Sequence, residues 1–149
     1  MDFREDLKEE ELLVLEGYGR SLSSRPGESL SFDPHHDALF VMSGALQAKA
    51  IDAIGKTVVR RYTTGEVLNE LSVVAAHVSL VKVTALMPSV SLVVSQTSVD
   101  SLVTEHPKVA AKLFRHFAKL IIYRMVPLHS NSLSSHVVRH AHKRLSQAS

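Results

Sequence analysis

Short extended segments separated by glycine and proline turns occupy residues 28–95, and they constrain the fold more than any other feature of the sequence. Residues 38–42 form an apolar run that stops at Ser43-Gly44, and residues 57–62 are rich in β-branched side chains. Such residues favour strands, whereas Gly and Pro mark the turns between strands. Several short strands at this spacing are typical of a β-barrel or jelly roll.

Within this region the sequence predicts three local features. Residues 29–32 alternate polar and apolar side chains and predict a first strand. Residues 45–51 and 57–62 predict a hairpin with its tip at residues 52–56. Residues 81–86 and 90–94 predict an antiparallel pair around a turn at Met87-Pro88.

Helical periodicity flanks the extended region on both sides. Residues 6–22 predict an N-terminal helix, and residues 98–105 predict a short helix after the strands. Residues 108–125 predict a long helix, which Val126-Pro127 would end or kink, and residues 132–145 predict a last one. The long helix carries one apolar stripe, formed by Val109, Leu113, Phe117, Leu120 and Ile121.

Composition bounds the class of protein. The 149 residues, 45% of them hydrophobic and 21% charged, predict one globular domain. The absence of cysteine excludes disulfides, cysteine-ligated zinc and a thiol nucleophile, and it fits a reducing compartment. No apolar run reaches the roughly 18 residues of a membrane span, and the acidic start is no secretory signal. We therefore expect a soluble cytoplasmic chain, on its own or as the cytosolic part of a membrane protein.

The charge is unevenly spread although the net charge is only +2. From Pro107 onward the sequence contains Lys and Arg but no Asp or Glu. A basic tail can be a solvated helix face, or it can meet nucleic acid, an anionic membrane surface or an acidic partner. These alternatives stay open at the level of sequence.

The element order and several motifs resemble the cyclic-nucleotide-binding domain family. Residues 25–30, Arg-Pro-Gly-Glu-Ser-Leu, resemble the family's first-strand entry, and residues 40–46 resemble its apolar strand that ends in Ser-Gly. Residues 55–59 resemble its hairpin, and residues 64–68, Thr-Gly-Glu-Val-Leu, resemble the turn before its phosphate-binding cassette. Residues 97–117, with Glu105-His106-Pro107, resemble the helices after the roll.

This resemblance implies a mainly β fold: an antiparallel β-roll (a double-stranded β-helix or jelly roll) with an N-terminal helix and C-terminal helices. The expected domain spans residues 1–125. It comprises the N-terminal helix 6–22, the β-roll 28–95 and the helices 98–125, and a basic C-terminal helix or tail follows at residues 126–149.

The family's cassette reads Gly-Glu-Leu-Ala, then a few residues, then Arg-(Ser/Thr)-Ala. The resemblance implies that its Glu accepts a hydrogen bond from the ribose hydroxyl, while helix-start amides and the Arg hold the cyclic phosphate. In this sequence Ser79 stands at the position of the Arg, and Leu80 stands at that of the Ser/Thr. His77 could replace the missing cation, whereas Lys82 would point to the other face of the strand. The candidate ligand-binding residues are therefore Asn69, which replaces the Gly, with Glu70, Leu71, Ser72, His77 and Ser79.

Loss of the guanidinium removes the charged partner of an anionic phosphate, and such bonds contribute about 1.5–3 kcal/mol each. We therefore expect no cofactor, since binding of cAMP or cGMP is disfavoured. The expected function is a non-catalytic regulatory or docking module within a larger channel, transporter or kinase. It would meet a protein partner or the rest of its chain through the C-terminal helices, or form a homo-oligomer. The alternatives are a working sensor of a cyclic nucleotide or another small ligand, and nucleic-acid binding through the basic tail.

Other chemistry finds little support in the residues. The sequence has no Gly-x-Ser-x-Gly, no glycine-rich phosphate loop and no dinucleotide fingerprint, so we expect no enzyme. His35 and His36 are adjacent and would point to opposite faces of a strand. His136 and His140 would share a helix face but lack a third ligand of clear spacing, so we expect no metal site.

Overall fold

The computed structural model describes residues 1–51, 54–75 and 80–132, and for residues 75, 81 and 125–132 it describes the backbone alone. The chain divides into two compact units, Met1–Leu113 and Phe114–Ser149. The first unit contains all the described strands, and the second contains the C-terminal part of the last described helix.

The strands of the described residues form two antiparallel sheets. In chain order the strands are β1 (Arg20–Ser24), β2 (Asp37–Ser43), β3 (Ala45–Ile51), β4 (Thr57–Thr63), β5 (Val67–Leu68), β6 (Leu80–Ala85) and β7 (Ser89–Ser95). The first sheet has the order β1-β7-β2-β5, and the second sheet has the order β4-β3-β6.

The helices flank the sheets in the order that the sequence predicts. They are a short 3-10 helix (Phe3–Asp6), α1 (Glu9–Gly17), α2 (Glu70–Ala75), α3 (Gln96–Glu105) and α4 (Pro107–Ser132). Among the described residues, no helix is both long and apolar enough to cross a bilayer.

One apolar cluster joins the two sheets. Period-two alternation places Leu39, Val41 and Val93 of the first sheet on one face, and Leu46, Ala48 and Val83 of the second sheet on another. These residues are buried in the same cluster. The two sheets therefore pack face to face around a shared core, which confirms the predicted jelly-roll fold.

The opposite face of the first sheet is covered by helices. Phe40 of β2 is fully buried, and its ring meets the ring of Phe3 edge-on at 4.9 Å between centroids. Helix α2 packs against β2, and α3 packs against β7. The Lys112 ammonium at the start of α4 lies 2.6 Å from Glu11 Oε1 of α1, and this contact lowers the pKa of Glu11.

The predicted N-terminal helix 6–22 is wrong at its C-terminal end. The helix is α1, Glu9–Gly17, and Leu22 instead lies in β1, where it pairs with Ser91 of β7. Gly19 allows the chain to pass close to Leu92 of β7, because a Cβ at this position would lie only 2.7 Å from the Leu92 side chain. The first sheet therefore begins before residue 28, and residues 29–32 contribute an isolated bridge, Ser29 to Thr84, in place of the predicted strand.

The predicted pairing of residues 81–86 with 90–94 is also wrong, although the turn between them is present. β6 pairs with β3, whereas β7 pairs with β1 and β2, so the chain crosses from one sheet to the other at this turn. The crossing allows both strands to bury apolar faces in the shared core. The predicted hairpin is confirmed by the pairing of β3 with β4 from Ala45–Thr63 to Ile51–Thr57, with residues 52–53 of its tip outside the described part.

The helices after the strands begin slightly earlier than predicted. The apolar stripe of α4 is buried at Val109, Leu113, Phe117 and Leu120 and half-buried at Ile121. Pro127 does not end the helix, which runs to Ser132. The predicted helix at residues 132–145 falls almost entirely outside the described residues.

The burial of Phe3 makes the N-terminal segment part of the core, so Phe3→Ala should lower the free energy of unfolding by about 3–5 kcal/mol. Equilibrium urea unfolding measures this change. Leu13→Ala is the matched control, because Leu13 is 63% exposed, and its effect should stay within about 0.5 kcal/mol. Equal effects of the two substitutions would contradict the placement of Phe3.

Candidate ligand-binding cassette

The cassette begins at Asn69, whose backbone adopts a left-handed conformation with φ at 61°. Asn tolerates this region better than other non-Gly residues, which explains how it can replace the Gly of the family pattern. Its side-chain amide donates to the carbonyl oxygens of Pro34 at 2.9 Å and Asp37 at 2.8 Å. Both amide protons are therefore committed to the loop that precedes β2.

Ser72 makes a further contact with Asp37, the first residue of β2. Its Oγ lies 3.0 Å from the Asp37 carbonyl oxygen and 2.7 Å from the Asn69 carbonyl oxygen, and the residue is fully buried. A hydroxyl carries one proton, so this proton is shared between two acceptors of the protein itself. The Ser72 amide also donates to the Asn69 carbonyl, at 3.1 Å.

Glu70 is the first residue of α2 and is only 1% exposed. Its helix packs against β2 and α3, and Leu71 beside it is half-buried. A ligand hydroxyl could reach the Glu70 carboxylate only if neighbouring atoms moved.

The loop that receives these contacts is held by Asp33. Its amide donates to Asp37 Oδ2 at 2.8 Å, its carbonyl accepts from the Asp37 amide at 2.8 Å, and its carboxylate lies 2.8 Å from His36 Nδ1. The backbone N–H of His35 and the His36 ring lower the pKa of Asp33. Sequence reasoning could not predict that the carbonyl oxygens of Pro34 and Asp37 accept hydrogen bonds from Asn69, because the partners lie more than thirty positions apart.

The remaining predicted residues are placed as follows. Asn69, Glu70, Leu71 and Ser72 are contiguous at the start of α2, whereas His77 and Ser79 lie outside the described residues. Leu80 is buried in the shared core. Lys82 pairs with Lys49 on the exposed face of the second sheet, while its neighbour Val83 faces the core, so its register places it away from the roll interior.

The His residues form no metal site among residues 1–51, 54–75 and 80–132, where no three His, Asp or Glu side chains converge on one point. His35 and His36 are both exposed, and the His36 ring pairs with Asp33. His136 and His140 lie outside the described residues.

A polar cleft that sequence reasoning missed lies beside β1. Its volume is about 440 Å³, and its lining includes Arg20, Asp37, Ser95 and Ser98. Tyr18 closes one side and donates a hydrogen bond of 2.5 Å to Glu105, and this bond raises the pKa of Tyr18. No sequence motif marks the cleft, because its walls come from α1, β1, β2, β7 and α3.

The contacts of Asn69 predict an order of stability among its variants. Asn69→Ala removes two hydrogen bonds from buried carbonyl acceptors and keeps a side chain at positive φ, so the free energy of unfolding should fall by roughly 2–4 kcal/mol. Asn69→Gly loses the same bonds but relieves the backbone, so it should lose about 1 kcal/mol less. Urea unfolding of the three proteins tests this order, and a more stable Ala than Gly variant would contradict it.

The contact between Tyr18 and Glu105 predicts a pH effect at alkaline pH. Because neutral Tyr18 donates to the carboxylate, the stabilisation should be present below the ordinary pKa of 10.0 and be lost as pH rises through the raised pKa. NMR titration of ring-labelled tyrosine measures that pKa, with Tyr18→Phe to assign the signal. Glu105→Gln should return the pKa of Tyr18 towards its ordinary value, and an unchanged pKa would refute the contact.

Comparison with known proteins finds similarity in structure and not in sequence. No protein-family model and no curated protein sequence matches the chain. The catabolite activator protein of Thermus thermophilus superposes with a TM-score of 0.69 at 18% identity, over 87% of this chain and 62% of that one. A cyclic nucleotide-binding domain from Methylobacillus flagellatus gives a TM-score of 0.69 at 19% identity, over 87% and 74% of the two chains.

A third similar structure is the regulatory subunit of a cAMP-independent protein kinase A from Trypanosoma brucei, with a TM-score of 0.59 at 15% identity. It is covered over 43% of its length, and 78% of this chain is matched. The chain thus spans less than two thirds of the catabolite activator protein and less than half of the kinase subunit. With two sheets around a shared core, flanking helices and a short helix after β5, the chain has the fold of cyclic-nucleotide-binding domains.

Proposed function

We propose that the chain is a non-catalytic regulatory or docking module that uses this fold without binding cAMP or cGMP in the usual way. One observation carries the proposal. The polar side chains at the start of α2, Asn69 and Ser72, donate to the carbonyl oxygens of Pro34 and Asp37 and of Asn69 itself. The side-chain donors of these two residues are therefore used by the protein's own acceptors.

The burial of Glu70 supports the same proposal. A ribose hydroxyl must come within about 3 Å of a carboxylate oxygen to donate a hydrogen bond. With 1% of the residue exposed, that approach would require α2 to move away from β2 or α3. Such a movement would break the contacts of Asn69 and Ser72 with the loop before β2, and each hydrogen bond contributes about 0.5–1.5 kcal/mol.

The charge of the cassette is the third support. The sequence has Ser79 and Leu80 where the family pattern has Arg and Ser/Thr, and Leu80 is only 8% exposed. Lys82 lies on the exposed sheet face, so it does not supply the missing cation. A cyclic phosphate would meet a carboxylate without a guanidinium beside it, which is unfavourable in a site of low dielectric.

Regulation without cAMP has a precedent in the same fold, because the similar Trypanosoma brucei structure is the regulatory subunit of a protein kinase A described as cAMP-independent. We propose that this chain acts in the cytoplasm as part of a larger channel, transporter or kinase. It would contact its partner through the C-terminal helices. The residues of the basic tail from 133 onward lie outside the described part, so nucleic-acid binding through that tail stays a prediction of the sequence alone.

The proposal predicts no thermal stabilisation by cyclic nucleotides. A ligand at 100 times its dissociation constant stabilises a protein by about 2.7 kcal/mol, so any site with a dissociation constant near 10 µM would give a clear shift at 1 mM nucleotide. We expect no shift with cAMP or cGMP in differential scanning fluorimetry of the purified chain. Calorimetric titration at the same concentrations provides an independent reading.

A variant designed to gain nucleotide binding provides the positive control for this experiment. Asn69→Gly, Ser72→Ala, Ser79→Arg and Leu80→Thr together restore the family pattern around Glu70 except for its last Ala, where Val81 stands. This variant should acquire a shift that a further Glu70→Ala removes. A shift in the unmodified chain that Glu70→Ala abolishes would overturn the proposal and favour a working nucleotide sensor.

A further inference from the structure

The outer face of the second sheet is basic. Lys49 pairs with Val59 on one side and with Lys82 on the other, and Gln47 pairs with Arg61 and Thr84. Paired residues share a face, and this face lies opposite Leu46, Ala48 and Val83, which fill the core. Lys49, Arg61 and Lys82 are all exposed, so their charges lie together on the solvent side.

No negative charge offsets this face within its strands. β3, β4 and β6 contain no Asp or Glu. Lys49, Arg60, Arg61 and Lys82 form no ion pair or side-chain hydrogen bond with any residue that the structure describes. One carboxylate, Asp52, follows β3 in sequence and lies outside the described residues.

The two edges of this sheet differ. The edge of β6 is covered by residues 27–30, because Gly27 N donates to Ala85 O and Leu30 N donates to Val83 O. β4 ends the sheet order on the other side, and no described strand pairs with its outer edge. Within the part of the chain that the structure describes, the second sheet therefore presents one open edge, which belongs to the strand that carries Arg60 and Arg61.

The direction of the free backbone groups of β4 follows from Thr63. Its N–H donates to Glu66 Oε2 at 2.6 Å, so it points away from β3. Residues of an antiparallel strand alternate between pairing with the neighbour and facing outward. Thr57, Val59 and Arg61 therefore direct their N–H and C=O groups to the open edge.

Apolar side chains accompany these groups. Val59 is 54% exposed and Ile51 is 48% exposed, and the register places both on the outer face with Lys49 and Arg61. An added strand would thus find backbone hydrogen bonds, apolar contacts and positive charge on one continuous surface, which we name the β4 edge surface: Lys49, Ile51, Val59, Arg61 and Lys82.

We propose that the β4 edge surface binds an extended acidic segment of a partner protein, which adds to the second sheet as a strand beside β4. Charge complementarity selects this occupant. The chain's own acidic N-terminal stretch is folded into helices whose Phe3 and Leu15 are buried, so it is not available as a strand. A second copy pairing β4 with β4 would bring Arg60 and Arg61 against their own counterparts, which is unfavourable.

A peptide of about ten residues, in which Glu alternates with Val and Thr, is the probe. Fluorescence anisotropy with the purified chain should show binding that is at least about tenfold tighter than that of the same peptide with Lys in place of Glu. N-methylation of alternate peptide amides should weaken binding by at least about tenfold, because it removes the backbone donors of the added strand. Hydrogen exchange should slow at the amides of Val59 and Arg61.

Charge-reversal variants distinguish binding at the β4 edge surface from nonspecific attraction by the overall charge of the chain. Lys49→Glu with Arg61→Glu should weaken binding by at least about tenfold, whereas Arg25→Glu should change it by less than about twofold. Arg25 is a suitable control because its side chain is 91% exposed and because it precedes residues 27–30 at the β6 edge, the edge of the second sheet that lies opposite β4. Circular dichroism and urea unfolding confirm that the variants retain the fold.

Four outcomes would overturn the proposal: no binding of the acidic peptide at about 1 mM, equal binding of the lysine peptide, retained binding after N-methylation, or self-association of the chain through β4 in analytical ultracentrifugation. Tighter binding of a random-sequence DNA oligonucleotide than of the acidic peptide would also overturn it and would assign the surface to polyanions. None of these outcomes depends on whether the cassette binds a nucleotide.

Discussion

The packing of two sheets around one apolar core is the constraint on which the rest of this structure depends. Each strand must direct alternate side chains inward, so the chain has to cross between the sheets wherever its next apolar face is needed in the other. This requirement sends β6 to β3 and β7 to β2, although the two strands are joined by a tight turn. It also leaves the outer face of the second sheet to solvent, where its basic residues collect.

The same packing positions the cassette. β2 is buried on both faces, by the core on one side and by α2 and the N-terminal segment on the other. The loop before β2 is thereby held under the start of α2, and its carbonyl oxygens become acceptors for Asn69 and Ser72. The side-chain donors of Asn69 and Ser72 are therefore satisfied within the protein.

Much of the fold could be predicted from the sequence, and the errors have identifiable causes. The hairpin of β3 and β4, the two helices after the strands and the apolar stripe of α4 follow from local periodicity, and the structure confirms them. β1 was assigned to a helix because Leu22 continues a helical spacing, whereas its pairing with β7 depends on residues seventy positions away. The cassette residues could be placed by motif, but their hydrogen-bond partners before β2 and the polar cleft beside β1 could not, since both are built from distant segments.

The sequence by itself determined the alternation of apolar side chains, the turns, the lack of cysteine and the absence of an arginine at position 79, because these are properties of neighbouring residues and their chemistry. Only the tertiary structure decided which strands pair, where the donors of Asn69 and Ser72 are used, and which sheet edge stays open. The physical reason is that hydrogen-bond partners and buried faces are chosen between segments far apart in the chain. The local pattern of a segment limits the strands with which it can pair, and burial of its apolar face in the shared core determines which of them it does pair with.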